Sequence, residues 1–88
     1  MRFEWTPDKA AANKRRHGVS FAEAVESFED PLALVLDDPK QPERLILVGA
    51  THTHRLLVTV YVERDVAVIR IISARRATSH ERRAYEED

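Results

Sequence analysis

The chain has 88 residues, with 14 Lys and Arg against 15 Asp and Glu, four His, no Cys and a formal net charge of −1. That length supports one domain with a single core and leaves no room for a separate cofactor domain. The lack of Cys excludes disulfides and thiolate metal sites, and no apolar run approaches the roughly 20 residues of a membrane helix. The opening Met1-Arg2-Phe3-Glu4-Trp5 lacks the apolar stretch of a secretory leader, so the expected location is cytoplasmic.

Phe3 and Trp5 alternate with Arg2 and Glu4, a period of two that predicts a short first strand. Thr6-Pro7-Asp8 then opens a helix: Thr6 can cap, Pro7 suits the first helical position, and Asp8 favours the positive end of the dipole. Gly18 stops that helix after a basic last turn. Ser20-Phe21-Ala22-Glu23 is a capping box for a second helix, whose stripe is Phe21, Ala24, Val25 and Phe28. Asp30-Pro31 is expected to end it.

From there the period changes to that of strands. Aliphatic runs cover residues 32–36, 45–48, 56–62 and 66–72, joined by short connections that imply antiparallel neighbours. The run from Leu56 to Val62 is apolar at nearly every position and reads as a central strand, with residues 63–65 as the turn after it. Arg70 interrupts the last run, so it must meet solvent, a carboxylate or a functional groove. Thr78-Ser79-His80-Glu81 is a second capping box and opens a terminal helix. The expected fold is α+β: two N-terminal helices, a four-stranded antiparallel sheet with a possible extra N-terminal strand, and a C-terminal helix, all in one domain over residues 1–88.

The near-zero net charge hides a segregation. Between Ser20 and Glu43 stand Glu23, Glu26, Glu29, Asp30, Asp37, Asp38 and Glu43 against Lys40. Between Arg64 and Arg83 stand Arg64, Arg70, Arg75, Arg76, Arg82 and Arg83 against Asp65 and Glu81. Such polarity focuses a field even when the sum is small, and guanidinium groups fork onto phosphate oxygens.

Arg75 and Arg76 are neighbours, and strand alternation sends neighbours to opposite faces. One of them can face phosphate while the other pairs with a carboxylate. On the terminal helix, pairing of Arg82 with Glu86 and Arg83 with Glu87 accounts for the glutamates but not for His80 or Tyr85. On the first helix Lys9, Asn13 and then Arg16 or His17 share a stripe. That stripe is either a solvated face or a second basic wall of a groove whose other wall is the terminal helix. His52 and His54, and Asp37-Asp38, have too few companions for a metal site, so no metal and no cofactor are expected. There is no Gly-rich phosphate loop and no nucleophilic-serine motif.

These residues carry a family resemblance. Phe3-Glu4-Trp5-Thr6-Pro7-Asp8-Lys9-Ala10, then Asn13 and Lys14-Arg15-Arg16-His17-Gly18-Val19-Ser20-Phe21, resemble the amino-terminal signature of BrnT-type toxins. Phe28-Glu29-Asp30-Pro31, Ile72-Ser73-Ala74-Arg75-Arg76-Ala77-Thr78, Glu81-Arg82 and Tyr85 extend the resemblance over essentially the whole chain. It implies a RelE-like fold and a bacterial type II toxin–antitoxin system, the toxin being a ribonuclease that arrests translation and growth. It also implies a BrnA-like antitoxin with a ribbon-helix-helix DNA-binding part. The two would form a 2:2 heterotetramer that reaches operator DNA only as the complex and represses its own operon. Lys9, His17, Arg75, Arg76, Glu81, Arg82 and Tyr85 fall on matched positions.

RNA carries its own nucleophile, the 2′-hydroxyl, and can be cut without a metal by proton transfer and charge stabilisation. The expected catalytic set is Arg75, Arg76, His17, His80, Glu81 and Tyr85, and the expected RNA-binding set is Lys9, Arg16, Arg82 and Arg83. The alternative is a non-catalytic module that binds a partner or nucleic acid. A DNA-binding regulator ranks lower, because the chain has no helix-turn-helix pattern and its leading helices carry an acidic face.

Overall fold

Local capping chemistry starts each helix where the sequence places it. In the computed structural model, which describes residues 1–87, the Thr6 hydroxyl accepts the Lys9 N–H and Pro7 opens α1 (Pro7–His17). Ser20 and Glu23 complete their reciprocal box at the start of α2 (Phe21–Ser27). Thr78 and Glu81 do the same for α3 (Ser79–Glu87). Gly18 ends α1 at φ 69°, a conformation that costs a Cβ-bearing residue, and its N–H reaches the Lys14 carbonyl.

The strands are β1 (Arg2–Glu4), β2 (Leu34–Asp37), β3 (Leu45–Ala50), β4 (Leu56–Asp65) and β5 (Val68–Arg76). They form one sheet in the order β1-β5-β4-β3-β2. The last four make the antiparallel meander expected, with β4 central. The extra N-terminal strand exists and pairs parallel to β5. No helix among the described residues is long and apolar enough to cross a membrane.

Helices cover the sheet on both faces. α1 and α2 lie on one face over Leu47, Leu57, Tyr61, Ile69, Ile71 and Ala74, to which they add Val19, Phe21 and Ala24. α3 lies on the other, where Tyr85 and Ala77 pack on Val48, Leu56 and Val58. The register shift between Val60 and Tyr61 inserts one residue in β5, which keeps Ile69, Ile71 and Ala74 on the same buried face. At Gly49 β3 passes close to α2: a Cβ there would stand 2.7 Å from the Ser27 carbonyl oxygen.

Three boundaries differ from expectation. α2 stops at Ser27, three residues before Asp30, because its end tightens: the N–H groups of Phe28, Glu29 and Asp30 reach the carbonyls three residues back, while the Asp30 carboxylate accepts N–H bonds from Leu32 at 2.9 Å and Ala50 at 2.8 Å. The tight turn after β4 is Val66-Ala67, not residues 63–65, which continue the strand. β5 runs four residues past the aliphatic run, to Arg76, so the strand ends in the arginine pair. Of the three surroundings open to Arg70, the fold supplies a carboxylate, Glu4 on β1, at 2.8 Å. Of the two readings of the α1 stripe, a groove shared with α3 does not form, because the sheet separates the two helices.

Candidate functional site

Among the described residues β1 pairs with Val68–Arg70 alone, so the rest of β5 has no strand on its outer edge. α1 takes that place through one side chain. Asn13, buried, accepts the Ala74 N–H at 3.1 Å, donates to the Ala74 carbonyl at 2.8 Å, and donates to the Val19 carbonyl at 3.0 Å. The amide thus mimics a neighbouring strand at Ala74 and also ties down the link between α1 and α2. Helical spacing puts Asn13 on the α1 stripe but gives no sign of this role.

Around that clamp Lys9, Ala12, Asn13, Arg16 and His17 from α1 and Ile72 and Ser73 from β5 line an open cavity of about 270 Å³. Arg76 pairs in register with Leu57, whose side chain belongs to the core beneath α1 and α2. Residues directly opposite in antiparallel strands share a face, so Arg76 projects from the same face as α1. Lys9, Arg16, His17 and Arg76 have no carboxylate within ion-pair distance among the described residues. The helix dipole rationalises cations in the last turn of α1. It does not rationalise Lys9, which lies nearer the other end and still converges on the cavity.

The opposite face is chemically different. Arg75 pairs in register with Val58 and forks onto Glu81, with Nη1 donating to Oε1 at 2.8 Å and Nη2 to Oε2 at 2.7 Å. That fork, together with the Thr78 N–H, holds the Glu81 carboxyl down at about 2, against burial that pushes it up. Glu81, expected as a candidate base, is therefore the ionised partner that fixes α3 to the end of β5. Tyr85, expected as a stacking or proton-donating group, gives its hydroxyl hydrogen to Asp30, and this bond pushes it up to about 12. Arg82 lies 4.0 Å from Glu86, while His80 and Arg83 stand exposed on α3. Of the residues expected at the site, the fold thus groups Lys9, Arg16, His17 and Arg76 on one face, and Arg75, His80, Glu81, Arg82, Arg83 and Tyr85 on the other.

The Glu81 arrangement gives a pH prediction. Its carboxyl titrates below its ordinary value of 4.5 in the folded chain, so the stabilisation is complete above that value and is lost as pH falls toward 2. Thermal melts should show wild type losing more stability than Glu81→Gln between about pH 5 and pH 2. Parallel curves would disprove the anchoring role.

A second hollow is lined by Glu26, Glu29, Asp30, His52, His54 and Tyr85. Here the His52 ring bonds Glu29, which raises its pKa, and the His52 N–H donates to Glu26. No group of three His, Asp or Glu among the described residues is placed to hold a metal ion.

An α+β domain that gathers unpaired cations into an open cavity beside a bare strand edge is of the class that meets a polyanion. The family described as "Ribonuclease toxin, BrnT, of type II toxin-antitoxin system" matches residues 5–81, and the chain belongs to that family. The crystal structure of the Brucella abortus ribonuclease toxin BrnT, at 1.1 Å resolution, superposes with a TM-score of 0.74 and 26% sequence identity, covering 90% of this chain and 99% of that one. No curated protein matches the chain.

Proposed function

We propose that this chain is a metal-independent endoribonuclease toxin whose RNA site is the α1 face of β5. The observation that carries this reading is the unpaired set Lys9, Arg16 and His17 around the cavity, with Arg76 on the same face. The 2′-oxygen attacks the neighbouring phosphorus, the bond to the 5′-oxygen breaks, and the products are a 2′,3′-cyclic phosphate and a free 5′-hydroxyl. His17 is the proton-transfer group, since an imidazole can serve as base and acid. Arg76, Arg16 and Lys9 neutralise the charge that grows on the phosphate oxygens. Arg75 and Glu81, with Tyr85, hold α3 in place, and His80, Arg82 and Arg83 lie at its periphery.

In this reading, cleavage arrests translation and growth, in the cytoplasm. A BrnA-like ribbon-helix-helix antitoxin neutralises the toxin in a 2:2 complex, and operator DNA is bound only through that complex. Family membership supports the antitoxin partnership.

Purified toxin incubated with RNA in excess EDTA should cleave it at the same rate as without EDTA. Inhibition that is reversed by one divalent metal would refute metal independence, and intact RNA under all conditions would favour a non-catalytic binding module. Binding to uncleavable RNA should also weaken with salt. Three or four phosphate contacts to a single strand give a log–log slope of roughly −2 to −3. A flat response in a salt titration would contradict an electrostatic site.

A further inference from the structure

We infer that the free edge of β2 is the surface on which the antitoxin docks, by adding an extended, basic-flanked apolar segment to the sheet. This rests on the toxin–antitoxin reading and adds the place and chemistry of the contact. β2 ends the sheet, so one side of its backbone is hydrogen-bonded to β3 and the other is bare. Folded proteins usually blunt such an edge with brevity, charge, Pro or a bulge. β2 is short, four residues, and charged only at its end, but Leu34-Val35-Leu36-Asp37 has no Lys or Pro and an unbroken register against β3.

Leu34, Val35 and Leu36 put apolar side chains on both faces. Val35 stands opposite Leu47 on the α1–α2 face and is 55% exposed; Leu36 stands opposite Ile46 on the α3 face and is 50% exposed. Leu32, just before the strand, is 70% exposed. A guest strand would cover these side chains while pairing the bare backbone.

Charge decides what kind of guest. Glu29 lies before β2, and Asp37, Asp38 and Glu43 lie at and beyond its end, against Lys40 and Arg44, which leaves the edge net acidic. A second copy of this chain, paired edge to edge, would bring the same acids to the same place, and like charges across an interface oppose association. A segment with alternating apolar residues and flanking Lys or Arg meets both requirements.

The test uses the full-length chain and the antitoxin encoded beside its gene. Calorimetry should show that combining Val35→Lys with Leu36→Lys weakens antitoxin binding by about thirtyfold. Val66→Lys, at the fully exposed β4–β5 turn, should leave it within about twofold. In wild type, exchange of those amides of residues 34–37 that point away from β3 should slow on antitoxin addition and stay fast in the toxin alone. That second readout holds even if the double variant fails to fold. Near-wild-type affinity of the folded double variant would overturn the inference. So would unchanged exchange at 34–37 in the complex, or slowed exchange there in self-associated toxin without antitoxin. Cleavage of RNA by antitoxin-free wild-type toxin is measured in parallel. Its absence would strike the ribonuclease reading while leaving the edge result to stand or fall separately.

Discussion

Arg76→Ala should lower RNA cleavage by about 10²–10³-fold, the cost typical of losing one preorganised donor at a developing anion. It should leave stability within about 0.5 kcal/mol, as for other surface changes away from special features. Both expectations come from the same observation. The Arg76 side chain is exposed, and no carboxylate neutralises it among the described residues. Its neighbour behaves oppositely: Arg75 is bound by Glu81 and supports α3, so its loss should appear first in stability. Induced expression makes the contrast visible, because cells carrying Arg76→Ala should keep growing while the protein stays soluble and still captures its antitoxin. A folded Arg76→Ala protein that arrests growth like wild type would refute the role.

Asn13→Ala should cost about 3 kcal/mol or more, since it leaves the Ala74 N–H, the Ala74 carbonyl and the Val19 carbonyl without partners at roughly 1–3 kcal/mol each. That is a large share of the 5–15 kcal/mol by which small domains are stable. At about 4–8 °C per kcal/mol for a domain of this size, the midpoint of a thermal melt should fall by at least about 10 °C. Asn13→Asp makes the comparison sharper. The carboxylate can still accept the Ala74 N–H but cannot donate to the two carbonyls, so it should be nearly as destabilising. A loss below about 1 kcal/mol in denaturant titrations of either variant would show that water or a local shift replaces the clamp.

Short-range chemistry in this chain is legible in the amino-acid order itself. The three helix starts follow from Thr6-Pro7, from Ser20 with Glu23, and from Thr78 with Glu81, because each cap is built within four residues. The meander follows from short connections between aliphatic runs. What stays hidden depends on distant partners. Nothing near Asp30 announces that a tyrosine 55 residues away will bond to it. The extra residue in β5 shifts which positions face the core, and with it which arginine joins which face. Helical spacing gives the Lys9–His17 stripe correctly, but a stripe does not say which sheet face it will meet. That leaves open a groove shared by α1 and α3, when the sheet lies between them.

The most direct test is RNA affinity measured by fluorescence anisotropy on two paired variants of the purified toxin. Lys9→Ala with Arg16→Ala, on the α1 face, should weaken binding by about tenfold or more, and His80→Ala with Arg83→Ala, on α3, should stay within about twofold. The reverse pattern would mean that RNA lies along α3 and would contradict the site assigned to the α1 side of the sheet.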